Sequence, residues 1–460
     1  MPAQPAQQPV RTRPMTVIGT GYLGATHAIC MAVLGHRVLA LDTHAEKLEA
    51  LAAGNVPFHE PGLPELLRKA LDSGRLRFSD DLAEAAAFGD VHFVCTGTPQ
   101  LPGSRGADLS QVEAVVRGLA PHLDRPALVV GKSTVPVGTA ARMRAVLQRL
   151  APAGRGAELA WNPEFLREGR AIEDTLQPSR LVLGVTSARV EETLRDVFRP
   201  VIDAGVPVVT TDLATAELVK VAANSFLATK ISFVNAMAEV CESTGADVLD
   251  LVEALAHDDR IGGKFLRPGL GFGGGCLPKD IRAFAHRAEE IGCGDAVSFL
   301  HDVDAINARR RLRVVDLVRE QAGGHLMGAR VCVLGAAFKP SSDDVRDAPA
   351  LDVARRLHEE GATVTVFDPQ AIENARRTHP ELSYAGSVLE AATGADVVAV
   401  LTEWDHFRAV DPAWLGRAVR VRAVVDGRHA LDAGAWRAAG WRYAAPGRPT
   451  VAPRELAALA

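Results

Sequence analysis

No CxxC pair occurs in the 460 residues, and the six cysteines, Cys30, Cys95, Cys241, Cys276, Cys293 and Cys332, are scattered with no His/Cys cluster of zinc spacing. Neither a disulfide framework nor a metal site is expected. There is no run of some 18 apolar residues, so no membrane-spanning helix is expected. There is no basic excess either: 51 Lys+Arg against 56 Asp+Glu give a net charge of −5, which argues against a nucleic-acid partner. Residues 1–13 are rich in Pro, Gln and Arg and lack an apolar h-region, which leads us to expect a disordered tail over residues 1–14 of a cytoplasmic protein. What remains is ordinary soluble composition, 47% hydrophobic and 23% charged, in a chain long enough for about three domains.

The first unit opens with a strand at Met15-Thr16-Val17-Ile18, followed by Gly19-Thr20-Gly21-Tyr22-Leu23-Gly24 and a helical stretch to Leu34. A second strand, Val38-Leu39-Ala40-Leu41, ends on Asp42. A bare GxGxxG is weak evidence. Between a strand and a helix, with an acid at the end of the next strand, it is a specific dinucleotide fingerprint. Asp42 suits a ribose diol and repels a 2′-phosphate, which favours NAD over NADP. Buried strands at Val91-His92-Phe93-Val94 and Ala127-Leu128-Val129-Val130 extend a parallel sheet covered on both faces.

A related pattern returns later, in strands at Arg330–Gly335, Gly361–Asp368 and Ala395–Val400. This second half lacks GxGxxG and carries Gly335-Ala336-Ala337-Phe338-Lys339 instead, so it should hold a different nucleotide. Between the halves, Asp212 to Thr244 contains neither Gly nor Pro, and Asp212 is an N-cap candidate. At 1.5 Å per residue that is a helix of about 50 Å. Asp295 to Ala322 is a second breaker-free run. Helices of that length commonly pack on a partner subunit, so a homodimer or higher homo-oligomer is expected. The fold class is α/β: two Rossmann-like doubly wound domains joined by a long central helix and a helical middle domain. The expected boundaries are 15–210, 211–325 and 326–460.

The richest ten residues are Gly271-Phe272-Gly273-Gly274-Gly275-Cys276-Leu277-Pro278-Lys279-Asp280. Pro278 marks a helix start just after Cys276, where free amides and the positive helix end favour a thiolate. Glycines clear the approach to the backbone. The commoner fate of a lone cysteine is burial as an inert small hydrophobe. Other segments weigh against that here. Lys220 and Asn224 are spaced i, i+4 on the long helix. Gly131-Lys132-Ser133-Thr134-Val135-Pro136 follows a strand at the end where open α/β sheets bind ligands, and Asn162-Pro163-Glu164-Phe165-Leu166-Arg167-Glu168-Gly169 offers two carboxylates four apart.

Together these strings, with Asp343-Asp344-Val345-Arg346, Thr402-Glu403-Trp404 and Asp426-Gly427-Arg428, resemble the UDP-glucose/GDP-mannose dehydrogenase family over residues 15 to 445. Phe272-Gly273-Gly274 and Pro278-Lys279-Asp280 look more like its glucose branch than its N-acetylhexosamine branches. Gly275 stands where the family often has serine, His429 where asparagine is usual, and Ala236 where glutamate is common. The resemblance implies a two-step, four-electron oxidation of UDP-glucose to UDP-glucuronate with two NADH formed. Cys276 would add to the aldehyde, Glu164 would activate the hydrolytic water, and Lys220 would stabilise the oxyanion or take the alcohol proton. Asp280 with Thr134 would hold a proton-relaying water, and Asn224 would orient the sugar.

For the cofactor, the resemblance points to Gly19, Gly21, Tyr22, Leu23, Gly24, Asp42, Lys47, Thr98, Thr134, Glu168, Lys279 and Arg346. For the substrate it points to Glu164, Phe165, Leu166, Lys220, Asn224, Phe265, Leu266, Arg267, Gly271, Phe272, Gly273, Phe338 and Lys339, with Arg260 reaching a neighbouring subunit's site. dTDP-glucose, whose base differs from uridine by one methyl worth only about 1–3 kcal/mol in a pocket, is one alternative substrate, and GDP-mannose is a lesser one. A single-oxidation β-hydroxyacid-type dehydrogenase also carries a Lys-x-x-x-Asn pair but needs no cysteine. A nucleotide-sugar epimerase would show no net NAD reduction, and a non-enzymatic nucleotide sensor would need none of the reactive groups.

Overall fold

The computed structural model describes residues 12–449. Residues 1–11 of the expected tail lie outside the described residues. The rest of that stretch is ordered: Pro14 already belongs to the first strand, and Arg13 reaches Asp90 at 3.0 Å. The chain divides into two compact units, one ending at Ala222 and the other starting at Ala223, within the helix Leu213–Thr244.

The first unit is built on eight strands: β1 (Pro14–Ile18), β2 (Arg37–Leu41), β3 (Leu76–Ser79), β4 (Val91–Val94), β5 (Ala127–Gly131), β6 (Ala157–Trp161), β7 (Leu181–Gly184) and β8 (Val208–Thr211). Their order is β3-β2-β1-β4-β5-β6-β7-β8. β4 and β5 are buried at every position, as strands covered by helices on both faces must be. The sheet departs from the wholly parallel expectation at one place: β6 and β7 are antiparallel, paired at Trp161 and Gly184. β7 and β8 then form their own parallel pair beyond that junction.

The second unit carries six strands: β9 (Arg330–Leu334), β10 (Thr363–Phe367), β11 (Ser383–Tyr384), β12 (Val397–Val400), β13 (Ala423–Asp426) and β14 (Arg442–Ala444). Their order, β11-β10-β9-β12-β13-β14, repeats that of the first six strands, and every pair is parallel. The second breaker-free run is not one helix. A 3-10 turn over Gly294–Val297 precedes the helix Phe299–Gln321. Val314, Val315, Leu317 and Val318 of that helix share a core with Val331 and Val333 of β9 and Val425 of β13. The helical segment and this sheet therefore pack together within the second compact unit.

Asp42 after β2 and Asp368 after β10 occupy equivalent places, but Asp368 is spent internally. Its Oδ2 accepts from Ala336 N (2.8 Å), Ala337 N (3.0 Å) and Trp404 Nε1 (3.1 Å), and its Oδ1 from Gln370 N and Ala371 N (both 2.9 Å). Five donors on one buried carboxylate leave no valence for a ribose. Asp368→Asn turns one acceptor into a donor facing N–H groups. It should lower stability by roughly 2–3 kcal/mol, read as a shift in the urea unfolding midpoint. An unchanged midpoint would mean the network contributes nothing net.

Candidate active site

In the first unit the chemistry gathers at the carboxyl ends of the parallel strands. Gly19, with φ +95°, turns the chain after β1, and a Cβ on Gly24 would drive into the Gly19 carbonyl, so helix and turn can close only on glycine. Asp42 Oδ2 accepts from Thr20 N, Thr20 Oγ1 and Lys47 Nζ, each at 2.8 Å, and Oδ1 accepts from His44 N at 3.1 Å. Burial pushes the Asp42 carboxyl up, but these hydrogen bonds outweigh it and hold its pKa at about 2. Two expected cofactor residues, Asp42 and Lys47, are thus brought together as one ion pair.

Thr98 Oγ1 donates to Thr134 O at 2.8 Å, fixing the loop after β5 with the Thr134 side chain half-buried. Lys132, buried beneath it, donates to Asn162 Oδ1 at 2.8 Å, and Asn162 Nδ2 donates to Val182 O at 2.9 Å. Burial lowers the Lys132 pKa, with Cys95 and Glu164 acting against that shift. Glu164 follows in the loop after β6, where Lys220 Nζ lies 3.0 Å from its Oε1 and Leu166 N donates to its Oε2 at 2.7 Å. The Lys220 and Glu164 side chains are 6% and 12% exposed, so this charge pair is shielded from bulk water. Phe165 lies beneath Lys220, 5.6 Å from ring centroid to Nζ, and under the Arg180 guanidinium at 3.7 Å.

Two positioning groups in this unit were not singled out from sequence. Glu60, 3% exposed, accepts from the Tyr22 hydroxyl, from Gly169 N at 2.6 Å and from Ala171 N at 2.8 Å. It joins the fingerprint helix to the segment carrying Glu164 and Glu168. Glu217, 1% exposed, accepts from Gly138 N at 2.7 Å and Ala140 N at 2.6 Å, capping the helix after Thr134 one turn before Lys220. Their partners lie up to 111 residues away, and no local pattern signals them.

In the second unit Cys276 is the N-cap of the helix Leu277–Glu290, with Pro278 in its first turn. Among the described cysteines only Cys276 and Cys293 are exposed. Burial pushes the Cys30 and Cys95 thiols up to about 12 and raises Cys241 and Cys332, so those four stay protonated. Among the described cysteines, Cys276 combines exposure with the N-terminus of an α-helix, whereas Cys293 caps only a short 3-10 turn. Asp280, 2% exposed, accepts from Asn224 Nδ2 at 2.7 Å and pairs with Lys279 Nζ at 2.5 Å. Lys220 and Asn224 stand one turn apart on the same continuous helix.

The remaining substrate candidates vary in setting. Gly271, Phe272, Gly273 and Leu266 are buried, Phe338 and Lys339 half-buried, and Phe265 and Arg267 exposed. Phe265 holds φ +63°, a left-handed conformation unusual for a bulky residue. Lys339 Nζ sits 5.4 Å from the Phe338 ring centroid. Arg428 Nη1 donates to Gly271 O at 2.7 Å and Nε to Leu401 O at 3.2 Å, which makes it a tie between loops. Arg346 pairs with Asp344 and Arg260 with Asp258, both at 2.6 Å, and the Arg260 side chain is 89% exposed. Groups of three or more metal-ligating side chains are absent among the described residues, as are helices long and apolar enough to cross a membrane.

Because folding lowers the Asp42 pKa, its stabilisation is complete above the unfolded carboxylate range near pH 4 and is lost as pH falls through about 2. Asp42→Asn should therefore lower stability by about 1–2 kcal/mol at pH 7, with the gap to wild type closing below pH 4. Denaturant midpoints from pH 7 to 3 check this, and a gap independent of pH would contradict it.

Residues 13–202 match the UDP-glucose/GDP-mannose dehydrogenase family NAD binding domain, 214–309 its central domain and 332–433 its UDP binding domain. A UDP-glucose 6-dehydrogenase of Rhizobium meliloti is 41% identical over 437 residues, covering 95% of this chain and 99% of the relative. One from Pseudomonas aeruginosa is 39% identical over 446 residues, covering 95% and 97%. The solved UDP-glucose dehydrogenase of Pyrobaculum islandicum superposes with a TM-score of 0.86 at 38% identity, covering 94% of this chain and all of that one. With most of its described length matched in three consecutive segments, this chain belongs to the UDP-glucose/GDP-mannose dehydrogenase family.

Proposed function

We propose that the chain oxidises UDP-glucose to UDP-glucuronate in two successive two-electron steps, with Cys276 as the covalent nucleophile. The observation that carries this reading is an exposed cysteine capping a helix after a glycine loop, in a chain whose relatives of similar length are UDP-glucose 6-dehydrogenases. NAD, when bound, supplies a hydride acceptor for each oxidation, held through the Gly19–Gly24 turn, Asp42 and Lys47, with Thr98, Thr134, Glu168, Lys279 and Arg346 as further contacts.

The chain's own groups divide the work. Lys220 takes the proton of the primary alcohol, or stabilises the oxyanion that forms from it. The Cys276 thiolate then adds to the aldehyde carbon, giving a tetrahedral thiohemiacetal able to lose a second hydride. The resulting thioester is cleaved by water whose proton Glu164 accepts, which returns the free thiol and the carboxylate product. Asn224 and Asp280 orient the reacting hydroxymethyl group, and Asp280 with Thr134 holds the relaying water. Phe265, Leu266, Arg267, Phe272, Phe338 and Lys339 bind the nucleotide and diphosphate, Lys339 as a point charge.

The same reading includes a homodimer. Phe226, Phe233 and Val240 recur at seven-residue spacing on the long helix and are 67%, 50% and 53% exposed, an apolar stripe suited to a second copy. Phe233→Lys should shift the molar mass in light scattering from dimer toward monomer, and an unchanged mass would remove this helix from the interface.

NADH counted per UDP-glucose consumed should equal two for wild type. Cys276→Ala should bind both ligands but give no sustained NADH. Wild-type turnover to the full acid by Cys276→Ala would make the cysteine structural. Running dTDP-glucose and GDP-mannose alongside identifies the base and sugar preferred.

A further inference from the structure

We infer that Asn307 is a positioning residue for the nucleophile loop, acting through the backbone of Phe272 to set where Cys276 stands. The inference rests on the reading of Cys276 as nucleophile. Asn307 lies in the helix Phe299–Gln321 and is 1% exposed. Its amide meets one residue of the loop on both sides: Phe272 N donates to Oδ1 at 2.7 Å, and Nδ2 donates to Phe272 O at 3.0 Å. A side-chain amide used in this way imitates the pairing of a neighbouring strand and fixes both position and direction of the peptide.

The need for such a clamp follows from the loop's composition. Gly271, Gly273, Gly274 and Gly275 leave four of the five residues before Cys276 without a side chain to pack, and glycine has the most conformational freedom to lose on ordering. Downstream the cysteine is held by the helix, where Asp280 N donates to Cys276 O at 3.0 Å. Mid-loop, Gly274 N donates to Arg346 O at 2.9 Å. Upstream, Arg428 holds the Gly271 carbonyl at 2.7 Å, and Asn307 takes both polar groups of Phe272. Gly271, at φ +98°, could not carry a Cβ without striking Asn307 Oδ1, so loop and clamp are fitted to each other. Arg311 Nη2 also donates to Phe272 O, at 3.2 Å, while among the described residues Phe272 N donates to Asn307.

Loss of the clamp leaves a buried N–H without an acceptor and frees the upstream half of the loop. The second oxidation suffers most, because it alone requires the sulfur at bonding distance from the aldehyde, and misplacement by about 1 Å can cost a hundredfold. Asn307→Ala should therefore uncouple the two steps. NADH per UDP-glucose consumed falls below two, and the difference appears as aldehyde trapped by hydroxylamine. The rate of acid formation drops about a hundredfold, while KM for NAD+ stays within about twofold. Asn307→Asp retains the acceptor for Phe272 N and leaves the carbonyl to Arg311, so it should fall between wild type and Asn307→Ala. It also carries the test if Asn307→Ala does not fold.

A merely structural asparagine would lower all activity in proportion to folded protein with the ratio still at two, and that result overturns the inference. Cys276→Ala assayed beside these variants separates the two levels: if it makes acid with two NADH, the reading of the nucleophile has failed. If it does not, but Asn307→Ala keeps the ratio at two, only the positioning role has failed.

Discussion

A nucleophile carried on a glycine loop is useful only if the loop is held, because each glycine that makes room for substrate also adds freedom that blurs the position of the attacking atom. The second unit meets this constraint with polar anchors on the loop backbone. Asn307 and Arg428 take the polar groups of Phe272 and Gly271, Arg346 O receives Gly274 N, and a helix begins at Cys276 itself. Asp280 enters the site from the first turn of that helix, already tied to Asn224 on the long helix. Cysteine, carboxylate and amide thus have their places set by secondary structure, with the glycine segment closing the remaining gap.

The two sheets share one strand order, yet they use its most informative position differently. After β2, Asp42 pairs with Lys47 and Thr20 at the edge of the fingerprint turn, and its depressed pKa keeps it ionised at neutral pH. After β10, Asp368 turns inward and is saturated by its own loop and Trp404. The same topology therefore serves a dinucleotide in one unit and has its ribose-reading acid converted into a structural post in the other. This suits the match of that second sheet to a UDP binding domain.

Most of the scaffold was legible because it is encoded locally. Alternating turn and apolar run place the strands, the absence of breakers gives the helix Leu213–Thr244, and Pro278 marks the helix start at Cys276. The site strings were legible for a related reason: Lys132 to Thr134 and Asn162 to Glu168 fall directly after strands, where parallel sheets expose chain ends. What escaped was tertiary. Glu60 and Asn307 act on peptides 109 and 35 residues away, and a lone carboxylate or amide gives no periodic signal. The antiparallel junction at Trp161 and Gly184 escaped because an apolar run has no direction. The packing of one face of Phe299–Gln321 across β9 and β13 is likewise visible only in three dimensions.

In the proposed reaction the oxidised carbon passes through a covalent bond to the Cys276 sulfur. Glu164→Gln, which removes the acceptor of the hydrolytic proton but leaves the thiol, should let the acyl group accumulate. Peptide mass spectrometry after mixing that variant with UDP-glucose and NAD+ should find the Cys276 peptide heavier by one UDP-glucuronyl group, and no such adduct at Cys293. An unmodified Cys276 peptide while acid product continues to form would contradict the account.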